Sequence, residues 1–177
     1  MATILAFAGS NSSTSVNFKL VRFAAAQIEG HTVQVLNLAN FPFPMYGEDY
    51  EKEHGFSNSL IELRNDIQNA DGILISVNEH NGNLSAYFKN LIDWLSRLDR
   101  DFIRDSKVML MSTSPGKRGA IGAHEVANKT LSRFGAEILS TFSLPSFYDN
   151  FDLEKGITDD ELSKEHERAI AAFMSNI

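Results

Sequence analysis

The chain contains no cysteine. Disulfide bridges, iron–sulfur clusters, thiolate zinc sites and a cysteine nucleophile are therefore excluded together. Proline is scarce, with 4 residues, and glycine contributes only 11, so neither a fibrous nor a disordered composition fits. Positive charge is in deficit: 16 basic against 23 acidic residues give a formal net charge of -7. That balance argues against a nucleic-acid surface and against a polybasic membrane patch. No run of about 18 apolar residues occurs, so no spanning helix is expected. The apolar opening Met1–Ala8 lacks a basic leader and reads as a first buried strand rather than a signal peptide. Sequons at Asn11, Asn83 and Asn128 are then chance matches in a cytoplasmic protein.

The 177 residues suit one domain, at roughly 100–200 residues per domain. Short apolar runs alternate with helical patterns along its whole length. Thr3–Ala8 and Gly72–Val77 are continuous apolar runs, as expected of strands covered on both faces. His31–Leu38 alternates, with Val33, Val35 and Leu38 as its apolar members. Lys107–Ser112 and Ala136–Leu144 complete the strands. Helical spacing fills Ser15–Glu29, Ser57–Ala70, Leu84–Arg100 and Ala120–Phe134, and Thr158–Met174 closes the chain. Thr158-Asp-Asp-Glu161 has the spacing of a capping box, with Thr158 as the cap. Such alternation predicts a parallel sheet with helices on both faces. One connection, Ala39–Phe56, is long and carries Phe41-Pro-Phe-Pro-Met-Tyr46 where a solvated loop would be polar. Two placements are open for it: against a second subunit, or folded back on its own domain.

Ligands of open parallel sheets bind beyond the carboxyl ends of the strands. Three segments stand there. Gly9–Asn17 joins the first strand to a helix and holds five hydroxyl side chains. A helix N-terminus ringed by hydroxyls and amides suits a phosphate; a serine-rich cap and turn is the plainer alternative. It has neither the lysine of a P-loop nor the Gly-x-Gly-x-x-Gly of a dinucleotide site. Val77–Leu84 follows the third strand and offers backbone amides plus Asn78, Glu79, His80 and Asn81 to the edge of a flat heterocycle. An Asn-Gly turn before a capped helix explains it equally. The histidines do not fall at metal-ligand spacing, so no metal is expected. Ser112–Gly119 follows the fourth strand, and its small residues permit close backbone approach. Lys117 and Arg118 set positive charge on its rim, for a second ligand's phosphate or simply for solvent.

Together, in this order, the three segments resemble the NADPH-dependent FMN reductase family. Its first motif, Gly-Ser-x-Arg-x-x-Ser-x-Asn, is matched by Gly9, Ser10, Ser15 and Asn17, with Ser12 where the arginine usually stands. Its second, Pro-Glu-Tyr-Asn-Gly, is matched by Glu79, Asn81 and Gly82, with Asn78 for the proline and His80 for the tyrosine. The helix that follows matches at Lys89, Asn90, Ile92, Asp93, Trp94, Leu95, Ser96 and Arg97. The resemblance implies a three-layer flavodoxin-like sandwich with a five-stranded parallel sheet in the order 2-1-3-4-5. It implies that Ser10, Ser12, Ser15, Val16 and Asn17 hold the FMN phosphate. Asn78, Glu79, His80, Asn81 and Gly82, with Ser112, Thr113, Ser114 and Gly116, would hold the isoalloxazine ring. It implies a homodimer or homotetramer, with the Phe41–Tyr46 loop and the Trp94 helix at the contact. A missing guanidinium contact of about 1.5–3 kcal/mol would weaken phosphate binding about tenfold to a hundredfold.

By that resemblance the flavin carries hydride from NADPH or NADH to a quinone, azo compound, metal oxyanion or free flavin, and no side chain is catalytic. Two rivals stand beside it. One is a flavodoxin-like electron carrier, which the basic Lys117–Arg118 rim disfavours. The other is a degenerate member that binds no flavin and serves as an interaction protein, which the changes at Ser12, Asn78 and His80 keep open.

Overall fold

Runs too apolar to face water on either side end up in the middle of a sheet. The computed structural model describes residues 1–177 and places five strands in one parallel sheet. They are β1 (Thr3–Ala8), β2 (Thr32–Leu36), β3 (Gly72–Val77), β6 (Lys107–Thr113) and β7 (Glu137–Leu144). The order β2-β1-β3-β6-β7 is 2-1-3-4-5 counted over these strands, as the resemblance implied. Two small hairpins lie outside the sheet: β4 (Glu79–His80) with β5 (Asn83–Leu84), and β8 (Phe151–Asp152) with β9 (Gly156–Ile157).

The strand period of two divides the core in half. Leu5, Phe7, Ile73, Ile75, Val77, Val108 and Leu110 face α3 (Asn58–Asn69), α4 (Ala86–Leu98) and α5 (Ile121–Arg133). Their neighbours Ile4, Ala6, Ala8, Leu74, Met109 and Met111 face α1 (Val16–Ala26) and α7 (Asp160–Met174). β2 is an edge strand, shorter than the alternation predicts. Val35 is exposed there, and Leu38 lies beyond the strand in a short 3-10 turn. Two further helices, α2 (Glu48–His54) and α6 (Phe147–Asn150), sit in connections.

The long connection folds back on its own domain. Trp94 Nε1 and Asn90 Nδ2 both donate to the Pro44 carbonyl, at 2.8 and 2.9 Å. The Tyr46 amide donates to Asn90 Oδ1 at 2.7 Å. Tyr87 donates to the carbonyls of Leu38 and Phe41, and burial raises the pKa of its phenol well above the usual tyrosine value. The loop and the Trp94 helix therefore meet each other, with Trp94 only 3% exposed. Apolar composition predicted that the segment is covered but not by what.

Helix α7 corrects the expected cap. Asp159, not Thr158, accepts from the amides of Glu161 and Leu162, at 3.0 and 2.9 Å. Asp159→Ala is expected to lower stability by about 1 kcal/mol, and Thr158→Ala by less than about 0.5 kcal/mol, in urea melts.

Candidate functional site

Three connections converge at the carboxyl ends of β1, β3 and β6, where the chain runs to β2 on one side of β1 and to β3 on the other. That change of direction opens a crevice in such sheets.

The first connection winds on its own hydroxyls. Ser10 Oγ accepts from the Ser12 amide, and Ser12 Oγ accepts from the Thr14 amide, both at 3.3 Å. Ser15 caps α1 by accepting from the Phe18 amide at 3.2 Å. The amides of Val16 and Asn17 have no acceptor on the chain, and no acidic residue occupies the first turn. The helix N-terminus thus keeps its positive end open to an anion. Ser10 and Ser15 are buried while Ser12 is exposed.

The Asn17 side chain is committed to the protein. Its Oδ1 accepts from Ser76 Oγ at 2.8 Å and from the Thr113 amide at 2.9 Å. Its Nδ2 donates to the Thr113 carbonyl at 3.0 Å. This one buried amide pins the start of α1 to the ends of β3 and β6, and its backbone N–H is left free for a ligand. Sequence reasoning missed Ser76, though a lone hydroxyl in the apolar run Gly72–Val77 was a signal.

The second connection is the β4–β5 hairpin. Asn81 and Gly82 both have positive φ, 55° and 74°, the pair a two-residue type I′ turn requires. The Glu79 carboxylate reaches α5 and accepts from the Ala123 amide at 3.0 Å. Asn78 Nδ2 and His80 Nε2 approach to 3.3 Å. Asn78 Oδ1 is buried with no hydrogen-bond partner, an acceptor waiting for a donor.

In the third connection the side chains of Ser112 and Thr113 also turn inward. Ser112 Oγ donates to the Gly119 carbonyl at 2.8 Å and lies 3.1 Å from His124 Nδ1. Thr113 donates to the Leu144 carbonyl at 2.7 Å. Burial pushes the pKa of His124 below the usual histidine value. Ser114 and Gly116 stay near the surface, with Lys117 and Arg118 exposed beside them. The Ser114 and Gly116 carbonyls accept from the amides of Phe147 and Ser146, at 3.0 and 2.9 Å. Sequence reasoning did not foresee that support from the segment after β7. No cluster of three or more His, Asp or Glu side chains is placed to hold a metal, and no helix is long and apolar enough to cross a membrane.

Sheet order and the helices on both faces define an α/β protein of the flavodoxin-like class, with an open helix N-terminus at the end of its first strand. The comparisons narrow the class. The family NADPH-dependent FMN reductase matches residues 2–149, and the chain belongs to it. A Pseudomonas aeruginosa protein named NAD(P)H-dependent FMN reductase is 25% identical over 161 residues, 89% of this chain and 85% of that protein. An Escherichia coli quinone reductase is 36% identical over 76 residues, 43% of this chain and 40% of that protein. The solved structure of the Paracoccus denitrificans flavoenzyme FerB, an NAD(P)H:(acceptor) oxidoreductase, superposes with a TM-score of 0.78 at 24% identity, covering 99% of this chain and 96% of that one.

Proposed function

We propose that this chain binds FMN across the three connections and uses it to pass hydride from NADPH or NADH to a small acceptor, a quinone, azo compound, metal oxyanion or free flavin. The observation that carries the reading is the pair of unpartnered amides, Val16 and Asn17, at the open start of α1. They suit a phosphate, and the buried, donorless Asn78 Oδ1 suits the N–H edge of a flat heterocycle. FMN, when bound, supplies the hydride-accepting and hydride-donating chemistry. The chain holds and orients. The Ser10, Ser12 and Ser15 hydroxyls and the α1 amides take the phosphate. The backbones of Asn78–Gly82 and Ser114–Gly116 border the ring, with no titratable side chain required at the reacting atoms. Lys117 and Arg118 set positive charge beside the crevice, where the phosphates of the nicotinamide donor arrive.

We take the working unit to be a cytoplasmic homodimer or homotetramer, as the family resemblance implies. Met45 and Tyr50 are exposed on the 39–56 connection, 71% and 40%, and remain free for such a contact.

The test is a titration of FMN into the purified protein, followed by flavin fluorescence, with NAD(P)H oxidation recorded alongside. Saturable binding with turnover supports the reading. Binding without turnover replaces it with an electron carrier, and no binding replaces it with an interaction protein. Restoring the family arginine gives a second expectation. Ser12 is exposed, so Ser12→Arg has room to reach the phosphate and is expected to tighten FMN binding about tenfold or more. Unchanged affinity would show that the phosphate lies elsewhere.

A further inference from the structure

Helix α5 starts without a cap of its own. Ala120 takes a left-handed conformation, φ 63°, and offers no side-chain acceptor, and no acidic residue lies in the first turn. Helix starts leave amides that need acceptors. One arrives from another segment: the Glu79 carboxylate of β4 accepts from the Ala123 amide at 3.0 Å. A steric observation points to the same contact independently. A Cβ at Gly122 would lie 2.8 Å from Glu79 Oε2 and 3.0 Å from the Gly82 carbonyl oxygen. The hairpin's turn therefore rests on the helix backbone, at a position only glycine accommodates without displacement. The hairpin has strands of two residues each, too short to hold a shape alone. Its docking on α5 is what fixes it.

Helix α5 also holds the third connection. His124 Nδ1 lies 3.1 Å from Ser112 Oγ, and Ser112 in turn bonds the Gly119 carbonyl. One helix thus joins both segments that border the flat-ring side of the crevice. We propose that Glu79 is a positioning residue rather than a ligand-touching one. In this account, which rests on the FMN reading above, its carboxylate latches the β4–β5 hairpin to α5 and fixes the spacing between the two ring-bordering segments. Gly122 is the other half of the latch.

Five proteins test this: the wild type, Glu79→Gln, Glu79→Ala, Gly122→Ala and the Glu79→Ala/Gly122→Ala double variant. Each is examined by circular dichroism and thermal melting, by amide hydrogen exchange without FMN, and by FMN titration. In Glu79→Ala the Ala123 amide is expected to lose its protection, and FMN binding to weaken about tenfold. Glu79→Gln keeps a carbonyl oxygen for that amide and should recover most of both. Gly122→Ala is expected to weaken FMN as Glu79→Ala does, and the double variant no further, because both changes break one contact. A latch is ruled out if Glu79→Gln is as impaired in FMN binding as Glu79→Ala while Ala123 stays protected, since the charge would then meet the ligand directly. Full additivity in the double variant, or unlatching without loss of affinity, overturns the proposal as well. A wild type that binds no FMN sinks the functional reading instead. Ala123 exchange in Glu79→Ala then decides the latch alone: lost protection supports it, and unchanged protection ends it.

Discussion

Asn17→Ala is expected to lower the unfolding free energy by about 4 kcal/mol and to abolish FMN binding at micromolar protein. The side chain makes three hydrogen bonds, to Ser76 Oγ and to the amide and carbonyl of Thr113. Ser76 is 0% and Thr113 1% exposed, so alanine leaves three polar groups stranded away from water. Each such group costs about 1–3 kcal/mol, and partial relaxation offsets some of the sum. The loss is a large share of a typical total of about 5–15 kcal/mol. Binding fails for a separate reason: without Asn17 the start of α1 is no longer tied to β3 and β6, and the anion-facing amides lose their aim. Asn17→Asp keeps both accepted bonds and suits the helix dipole, but it sets a second acceptor oxygen against the Thr113 carbonyl in a buried site, so stability stays low. It also sets a carboxylate beside the phosphate position, so binding stays lost. Urea melts and FMN titrations of the two variants are the measurement. An Asn17→Ala protein that melts with the wild type would refute the structural role.

Strong periodicity made much of this fold readable. Five strand patterns, continuous or alternating, with helical stretches between them predicted a parallel sheet covered on both faces, and the resemblance supplied the strand order. Elements that bury nothing were invisible. Helix α2, Glu-Asp-Tyr-Glu-Lys-Glu-His, has no buried residue, so it carries no apolar stripe to detect. The β4–β5 hairpin is too short for any period to show. Asp159 beat Thr158 as the α7 cap because both satisfy the local rule and only three-dimensional placement chooses between them.

The site was legible by segment and illegible by side chain. Asn17 and Glu79 carry motif positions, and hydrogen-bonding residues in a ligand loop read naturally as ligand contacts. The structure commits both to other segments of the protein, at Thr113 and Ala123. Motif residues at the mouth of a sheet thus divide into those that face the ligand and those that hold the loops facing it. Only burial and partner geometry tell them apart, and neither is local in sequence.

Acidification should destabilise this protein at a pH where most proteins still hold. His166, on α7, is 1% exposed and sits between the rings of Phe23 and Phe142, with centroids 5.3 and 5.0 Å away. Its Nε2 has no hydrogen-bond partner, and burial holds its pKa down to about 4, from an ordinary 6.5. The unfolded chain therefore takes up a proton between those values while the folded chain does not. Stability is intact above pH 6.5, falls as the pH drops toward 4, and levels off below. The loss across that window is about 3 kcal/mol. Burial lowers the His124 pKa as well and adds to the slope with the same sign. The depressed carboxylates Asp99 and Asp152 act below their ordinary 3.8, and Glu51, held down by the Tyr46 hydrogen bond, below its ordinary 4.5, so they add only at the acid end of the window. His166→Phe keeps a ring between Phe23 and Phe142 and removes the proton uptake. It is expected to abolish most of the slope between pH 6.5 and 4 and to be at least as stable as wild type at pH 7. Urea midpoints measured across that range decide it. An unchanged slope in His166→Phe would assign the acid sensitivity to His124 or to the carboxylates instead.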